Sequence, residues 1–181
     1  MPQPWIHEIL SFWFGLKPDQ WWTTNADLDE QCRERFLELY EEQRAFPVEH
    51  FLADAETALA AVILFDQLPR NMFRGHADSF ATDHLALAIA TGAVERGLDR
   101  SLGQKERGFL YMPLQHSEDL ADQQQALPLY SALGDAEQLA YAKRHHDVIA
   151  RFGRFPHRNA ILGRAPRPDE LAAHDADPTK L

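Results

Sequence analysis

Apolar residues recur every three or four positions along most of the chain, which is the spacing of a helix that buries one face. The stretch from Trp5 to Phe14 is the first example, with Ile9 and Trp13 on its apolar side and Gly15 as a C-terminal stop. No convincing alternating run lies between hairpin turns, as a half-buried strand would require. The pattern therefore predicts an all-α protein.

Capping residues and prolines give the expected helix boundaries. The predicted N-caps, whose side chains accept amide hydrogens of a first helical turn, are Asp27, Asp54, Asp78 or Ser79, Ser117 and Asp135. The residue before a proline disfavours helical geometry, and an internal proline removes a hydrogen bond. Pro69 and Pro113 are therefore predicted to end the third and fifth helices, and Pro128 to kink or break the sixth.

Seven or eight helices are expected, joined by short links and mostly paired antiparallel. Their predicted ranges are Trp5–Phe14, Asp27–Arg44, Asp54–Leu68, Asp78–Arg96, Lys105–Met112, Glu118–Leu133 and Ala136–Phe152, with a short last helix from Pro168. The middle of the third helix is apolar nearly all round, which places it at the centre. We expect one domain over residues 1–181, with a polar, frayed tail at 175–181.

Composition narrows the class of protein. Hydrophobic residues make up 45% and charged residues 25% of the 181, which is ordinary globular usage. The one cysteine, Cys32, excludes an internal disulfide and a multi-cysteine zinc site. The longest apolar run, Ala58 to Phe65, is far shorter than the roughly 20 residues of a membrane helix. These features predict a cytoplasmic protein without membrane contact, and no feature implies a cofactor.

Charge is distributed unevenly. The net charge of −10 argues against general nucleic-acid binding, which depends on phosphate neutralisation by Lys and Arg. Residues 148–168, here called the basic segment, nevertheless hold five arginines and no acidic residue: Arg151, Arg154, Arg158, Arg164 and Arg167. Such a segment either pairs with acidic side chains elsewhere or binds an anion, since arginine matches carboxylate and phosphate geometry.

The segment 66–74 carries the first group of candidate site residues. Asp66 is predicted to lie at a helix C-terminus, where the helix dipole disfavours a negative charge, so a cationic partner is expected. Arg70 and Arg74 are the nearest candidates. In one interpretation Asp66 and Arg70 form a structural clasp and Asn71 caps the next segment. In the other, part of this group, including Gln67, faces a ligand.

The segment His116-Ser117-Glu118-Asp119 is the second candidate. A serine cap followed by acidic residues is favourable for purely structural reasons. An imidazole beside carboxylates is also a usable general acid or base, because its pKa lies near neutrality. The spacing matches no established metal motif, so no metal site is predicted.

The third candidate is the turn Phe155-Pro156-His157-Arg158-Asn159, which resembles Leu68-Pro69-Arg70-Asn71. Each turn is expected to close a helix, and both are expected to lie near His116–Asp119 and line one polar cavity. His145 and His146 are adjacent on a helix, so only one of them can face such a site. The predicted ligand-binding residues are Asp66, Gln67, Arg70, Asn71, Arg74, His116, Glu118, Asp119, Arg151, Arg154, His157, Arg158, Asn159 and Arg164.

Long motifs in the same order resemble a bacterial family known as domain of unknown function 924. They are Phe12–Gly15, Leu64–Gly75, Phe80–Asp83, Phe109–Asp119, Arg151–Asn159 and Leu162–Arg164. The resemblance covers nearly the whole chain and implies a TPR-like, α-solenoid-like stack of antiparallel helix pairs, without implying an activity. The family tends to have Ser-Thr after Arg164, where this chain has Ala165-Pro166, so a weakly capped last helix is expected.

Three functions are compatible with these residues. The first is a binding module for a small anionic ligand or a peptide carboxylate, favoured by the basic segment. The second is a hydrolase-type enzyme, with His116 or His157 and Asp66, Glu118 or Asp119 as acid and base. The third is a purely structural polar network. No phosphate-binding glycine loop and no nucleophile elbow supports a nucleotide site or a serine hydrolase.

Overall fold

The computed structural model describes residues 3–172, and within that range the regular secondary structure is entirely helical, as predicted. The α-helices are α1 (Pro4–Gly15), α2 (Ala26–Gln43), α3 (Ala55–Val62), α4 (Leu68–Met72), α5 (Asp83–Glu95), α6 (Gln104–His116), α7 (Leu120–Leu133), α8 (Ala136–Phe152) and α9 (Pro168–Leu171). A π-helical turn, Ile63–Gln67, joins α3 to α4 without a break. If that stretch is counted as one helix, residues 3–172 contain eight, within the predicted range.

Short 3₁₀ turns lie at Pro18–Trp21, Val48–Phe51, Ala77–Phe80, Leu98–Ser101 and Pro156–Arg158. The chain divides into two compact units, Met1–Leu110 and Tyr111–Leu181, called unit 1 and unit 2 below. The single domain and the TPR-like stacking remain predictions. The expected frayed tail at 175–181 lies outside the described residues.

The core of unit 1 is built on α3 and the π turn. Every residue from Ala58 to Phe65 is at most 1% exposed, which confirms the predicted central position. α3 packs against α1 and α5, and α2 packs against α4. Because the central segment carries apolar side chains on all its faces, each face must be buried against another helix, and the surrounding helices bury it.

The helix ends expected at Pro69 and Pro113 are wrong, and the helix that contains Pro128 is not broken there. The helical stretch that begins with α3 continues past Pro69 to Met72, α6 runs through Pro113 to His116, and α7 contains Pro128 without a break. An internal proline costs roughly 3 kcal/mol, but tertiary packing provides most of the stability of a helix in a protein. Pro69 and Pro113 are buried among such contacts, and Pro128 is exposed on a helix whose other face packs on α8.

Unit 2 contains the hairpin of α7 and α8, which pack against each other. Their link is Gly134-Asp135, in which Gly134 has a φ of +73° and Asp135 accepts the amides of the first turn of α8. α8 begins and ends where predicted, with Gly153 at a φ of +66° after its last residue. Val148, Ile149, Phe152 and Phe155 form a buried apolar cluster.

Several predicted caps need correction. Asp54 and Asp135 cap α3 and α8 as expected. α2, however, is capped by Asn25 rather than Asp27, since the Asn25 side chain accepts the amides of Asp27 and Leu28. α5 follows Thr82 rather than Asp78 or Ser79, because Ala77–Phe80 forms a separate 3₁₀ turn. Asp119 caps α7 in place of Ser117.

Candidate functional site

The π turn in unit 1 is held by a side chain from outside the helix. Pro69 has no N–H to offer the carbonyl of Phe65 four residues earlier. The hydroxyl of Thr82 donates to that carbonyl instead, at 2.7 Å. The amide of Leu68 bonds the carbonyl of Ile63, five residues back, which is the π pattern. A π turn contains one extra residue compared with an α-helical turn, and such turns occur frequently at functional sites.

Asp66 lies in this turn and is fully buried. Arg70 donates to the backbone carbonyl of Asp66, and its Nη2 lies 3.4 Å from the carboxylate. The same guanidinium grips both oxygens of Asp83, each at 3.1 Å. Burial disfavours the charge of Arg70, but Asp66 and Asp83 outweigh it and raise the pKa of the guanidinium. The predicted Asp66–Arg70 pair is therefore confirmed, with Asp83 as an additional partner and Gln67 donating to Asp66.

Asn71 and Arg74 belong to a second polar group, centred on Asp29 of α2. Asn71 donates to Asp29 Oδ1 at 2.8 Å. It lies inside α4, and His76 caps the next turn, Ala77–Phe80, so the expected role of Asn71 as a cap of the following segment is wrong. Arg74 donates through Nε to Asp29 Oδ2 at 2.5 Å and through Nη2 to Oδ1 at 2.8 Å, so Asp29 rather than Asp66 is its carboxylate. Burial would raise the pKa of Asp29, but these hydrogen bonds lower it.

Glu118 is the centre of the first polar group in unit 2. Its carboxylate accepts both Nη groups of Arg164, at 2.6 and 3.0 Å, and the amide of Phe155 at 2.7 Å. Arg164 also donates to the Phe155 carbonyl and to the Asn159 side chain, each at 3.0 Å. Burial opposes ionisation of Glu118, but Arg164 and the Phe155 amide keep its pKa below the usual value.

Glu170 of α9 is the centre of the second group. Arg154 donates to it through Nε at 2.5 Å and Nη2 at 2.9 Å, and Asn159 donates at 2.9 Å. The ion pair with Arg154 lowers the pKa of Glu170 to about 2. Glu170 also accepts the amide of Arg167 at 2.8 Å, which caps the start of α9. The side chain of the N-cap residue, Arg167, makes no capping hydrogen bond, so the Glu170 contact is what supports the start of α9.

The two similar motifs, Leu68–Asn71 and Phe155–Asn159, make the same kinds of hydrogen bond although their backbone conformations differ. In each, the asparagine donates to a carboxylate that a separate arginine also grips: Asn71 with Asp29, and Asn159 with Glu170. In each, the arginine before that asparagine donates to a backbone carbonyl. The expectation that both motifs close a helix is wrong for the first one, because Leu68–Met72 is itself helical.

Imidazole rings and one guanidinium meet around the buried ring of Phe155. The rings of His145 and His157 each lie 5.6 Å from it, centre to centre, and the Arg158 guanidinium lies 4.6 Å above it. The ring of His116 is 6.1 Å from that of His145. Arg158 Nη2 also donates to the carbonyl of His116 at 3.0 Å. We call His116, His145, His157 and Arg158 the histidine–arginine cluster.

His145 is neutral in this cluster. Its Nδ1 lies 2.8 Å from the carbonyl of Tyr141 one turn earlier, and the residue is 7% exposed. Burial is the largest cause that lowers its pKa, to about 3, and positive charge on His116, Arg158 and His157 lowers it further. Of the adjacent pair, His145 is therefore the residue that faces the cluster, whereas His146 contacts Asp147.

The structure brings the predicted site residues together in separate groups within each unit. Asp119 is an N-cap, and the Arg151 guanidinium lies 4.8 Å from the centre of the Phe152 ring. One cavity lined by all three predicted segments remains a prediction. Among residues 3–172, no group of three or more His, Cys, Asp or Glu side chains is arranged to hold a metal ion.

Four participants were absent from the predicted set: Asp29, Asp83, His145 and Glu170. A signal existed for two of them. Asp29 lies three residues before Cys32 and seven before Phe36 of the apolar stripe of α2, and His145 occupies the same kind of position on α8. A polar residue on a buried stripe indicates a partner inside the protein.

Comparisons with known proteins agree with this architecture. Residues 9–175 match the family described as "Bacterial protein of unknown function (DUF924)". A solved structure of a protein of unknown function from Agrobacterium tumefaciens is similar, with 40% sequence identity, a TM-score of 0.86, and coverage of 92% of this chain and 94% of that chain. Comparison with curated proteins gives no match. Within residues 3–172, no helix is both long and apolar enough to cross a bilayer. The chain belongs to the DUF924 family of bacterial proteins.

Proposed function

We propose that unit 2 binds a small anionic ligand, or the carboxylate of a peptide, at the histidine–arginine cluster. The observation that carries this proposal is the meeting of two imidazoles and one guanidinium around Phe155, with a third imidazole, that of His116, beside His145. Burial is the largest cause that lowers the pKa of His145, and His116, Arg158 and His157 lower it further. The positive guanidinium would attract an anion placed beside it, and its planar shape matches the geometry of a carboxylate or a phosphate.

The remaining arginine contacts support a structural role instead. Arg74, Arg154 and Arg164 each hold a carboxylate at 2.5 to 3.0 Å through two nitrogens, and Arg70 holds Asp83 in the same way. Such bidentate pairs hold segments together and use the donors that an anion would need. The purely structural hypothesis is therefore favoured for these four arginines, and the ligand-binding proposal is restricted to the histidine–arginine cluster.

A hydrolase using carboxylates is the less favoured alternative. Glu118 is held by Arg164 and the Phe155 amide, and Asp119 caps α7. Asp66 lies in unit 1, beside Arg70. These contacts give all three carboxylates structural partners, which favours structural roles for them over the role of a general base.

The test is a titration of isotope-labelled protein, followed by ¹H–¹⁵N NMR, with inorganic phosphate, acetate, a short peptide and the same peptide with an amidated C-terminus. The proposal predicts shifts centred on the histidine–arginine cluster, weaker in a His157→Gln variant and retained in a His146→Gln control. A ligand at 100 times its Kd should add roughly 2.7 kcal/mol to stability.

Each outcome decides between the sources of the anion. Equal binding of the free and amidated peptides overturns peptide-carboxylate recognition, whereas binding of the small anions alone supports a metabolite. Absence of any response in the cluster to all four probes overturns the proposed function.

A further inference from the structure

The hydrogen bond between His145 and Tyr141 determines which ring nitrogen carries the proton. A carbonyl oxygen can only accept, so Nδ1, 2.8 Å away, must donate. A neutral imidazole has one N–H, which leaves Nε2 with a lone pair and no hydrogen. His145 therefore offers an acceptor in a cluster that also contains the guanidinium of Arg158.

Within residues 3–172, that acceptor has no hydrogen-bond partner, since the Tyr141 carbonyl is the only hydrogen-bonding group that the His145 ring contacts. The residue keeps 7% of its surface exposed, and Nε2 of His145 is not one of the side-chain atoms that are both fully buried and without a partner. A ligand that donates to this lone pair replaces the hydrogen bond that water would make, with a modest net gain in affinity.

Resting on the proposed function, we infer that the ligand carries a hydroxyl or amide N–H donor next to its anionic group. The donor bonds Nε2 of His145, and the anionic group lies by Arg158. An ammonium group is disfavoured as the donor, because it would lie near the positive guanidinium of Arg158. The chemical class is thus a hydroxy acid or an N-acylated amino acid, and the C-terminus of a peptide has the latter chemistry.

Matched probe pairs test this inference on the wild-type protein. Glycolate and methoxyacetate differ in one hydroxyl hydrogen, and N-acetylglycine and N-acetylsarcosine differ in one amide hydrogen. The donor-bearing member of a pair should bind about fivefold more tightly, the value of one ordinary hydrogen bond. A preference within the first pair alone indicates a hydroxy acid, and one within the second pair alone indicates an acylated amino acid or peptide terminus.

A His145→Phe variant keeps an aromatic ring and removes the acceptor. Its expected result is loss of the preference within each pair, with binding of the carboxylate retained. Because the pairs are also compared on unaltered protein, a poorly folded variant does not decide the outcome. Equal binding within both pairs overturns this inference and leaves the proposed function standing, whereas no binding of any probe overturns the proposed function.

Discussion

The neutral state of His145 makes the stability of the protein depend on pH in a defined window. In the folded protein its pKa is about 3, against 6.5 for an ordinary histidine. Below pH 6.5 this histidine therefore becomes protonated in the unfolded chain, whereas in the folded protein it stays neutral until the pH approaches 3. The contribution of His145 to stability is complete above pH 6.5 and is lost as the pH falls toward 3.

The size of this effect follows from the shift. Each pH unit inside the window changes the free energy of unfolding by about 1.4 kcal/mol, so the 1.5 units between pH 6.5 and 5 remove about 2 kcal/mol. The carboxylates with lowered pKa values, Asp29, Glu118, Asp135 and Glu170, have pKa values of 3.8 to 4.5 in an unfolded chain. Their effect on stability lies mainly below pH 5, so the histidine contributes most of its own effect between pH 5 and 6.5.

Urea unfolding at several pH values provides the measurement. A His145→Gln variant has no titrating ring at this position. In this window, the slope of its free energy of unfolding against pH should therefore be smaller than that of the wild type by about 1.4 kcal/mol per pH unit. His146→Gln is the matched control, since it removes the neighbouring ring and should keep the wild-type slope. Equal slopes for wild type and His145→Gln would refute the reasoning.

Two further predictions concern single contacts. Arg164→Ala should destabilise unit 2 by about 3 kcal/mol, because it leaves the half-buried Glu118 without its cation, and a double-mutant cycle with Glu118→Ala should give a coupling of about 1–3 kcal/mol. Thr82→Val should cost about 1–3 kcal/mol in urea unfolding, because the carbonyl of Phe65 then loses the donor that replaces the missing N–H of Pro69.

Exposed counterparts provide the controls for these two predictions. The ion pair of Arg35 with Glu8 has a separation of 3.3 Å, but both side chains are more than 40% exposed, so its cycle should give less than about 1 kcal/mol. Thr23 donates to the carbonyl of Asp19 at the surface, and Thr23→Val should cost less than about 0.5 kcal/mol. Equal effects at exposed and buried positions would contradict the assignment of both buried contacts.

The boundaries predicted correctly are those that neighbouring residues determine. Asp135 accepts amides two and three residues later, and Gly153 adopts a positive φ that other residues avoid. Such signals lie within one turn of the helix end. The start of α8 after Asp135 and its end before Gly153 could therefore be predicted from sequence alone.

The wrong boundaries depend on distant residues. Pro69 was expected to end a helix, but Thr82, 13 positions later, contributes the donor that lets the helix continue. Similarly, Arg74 was one of two candidate partners of Asp66, whereas its carboxylate is Asp29, 45 positions away. Local spacing contains no information about such contacts, since they form only when helices pack.

The candidate site was predictable in its residue types and only partly in its pairings. Basic residues and histidines mark the segments in which the polar groups lie, and the pairing of arginines with carboxylates is among the predicted outcomes. His145 is absent from the predicted ligand-binding set, although its position on the apolar face of α8 indicates a buried, polar role. Burial and its consequence for the pKa become visible only in the folded unit.

The ring nitrogens of His145 provide the most direct test of the central claim, that an anionic ligand with a neighbouring donor binds beside a neutral histidine. Long-range ¹H–¹⁵N spectra distinguish a protonated ring nitrogen from one with a lone pair. With glycolate or N-acetylglycine, we predict that the Nε2 signal shifts as its lone pair accepts a hydrogen bond, while Nδ1 stays protonated against Tyr141. A protonated Nε2 in the unliganded protein at neutral pH, or an Nε2 signal that responds to neither compound at saturation, would contradict the account.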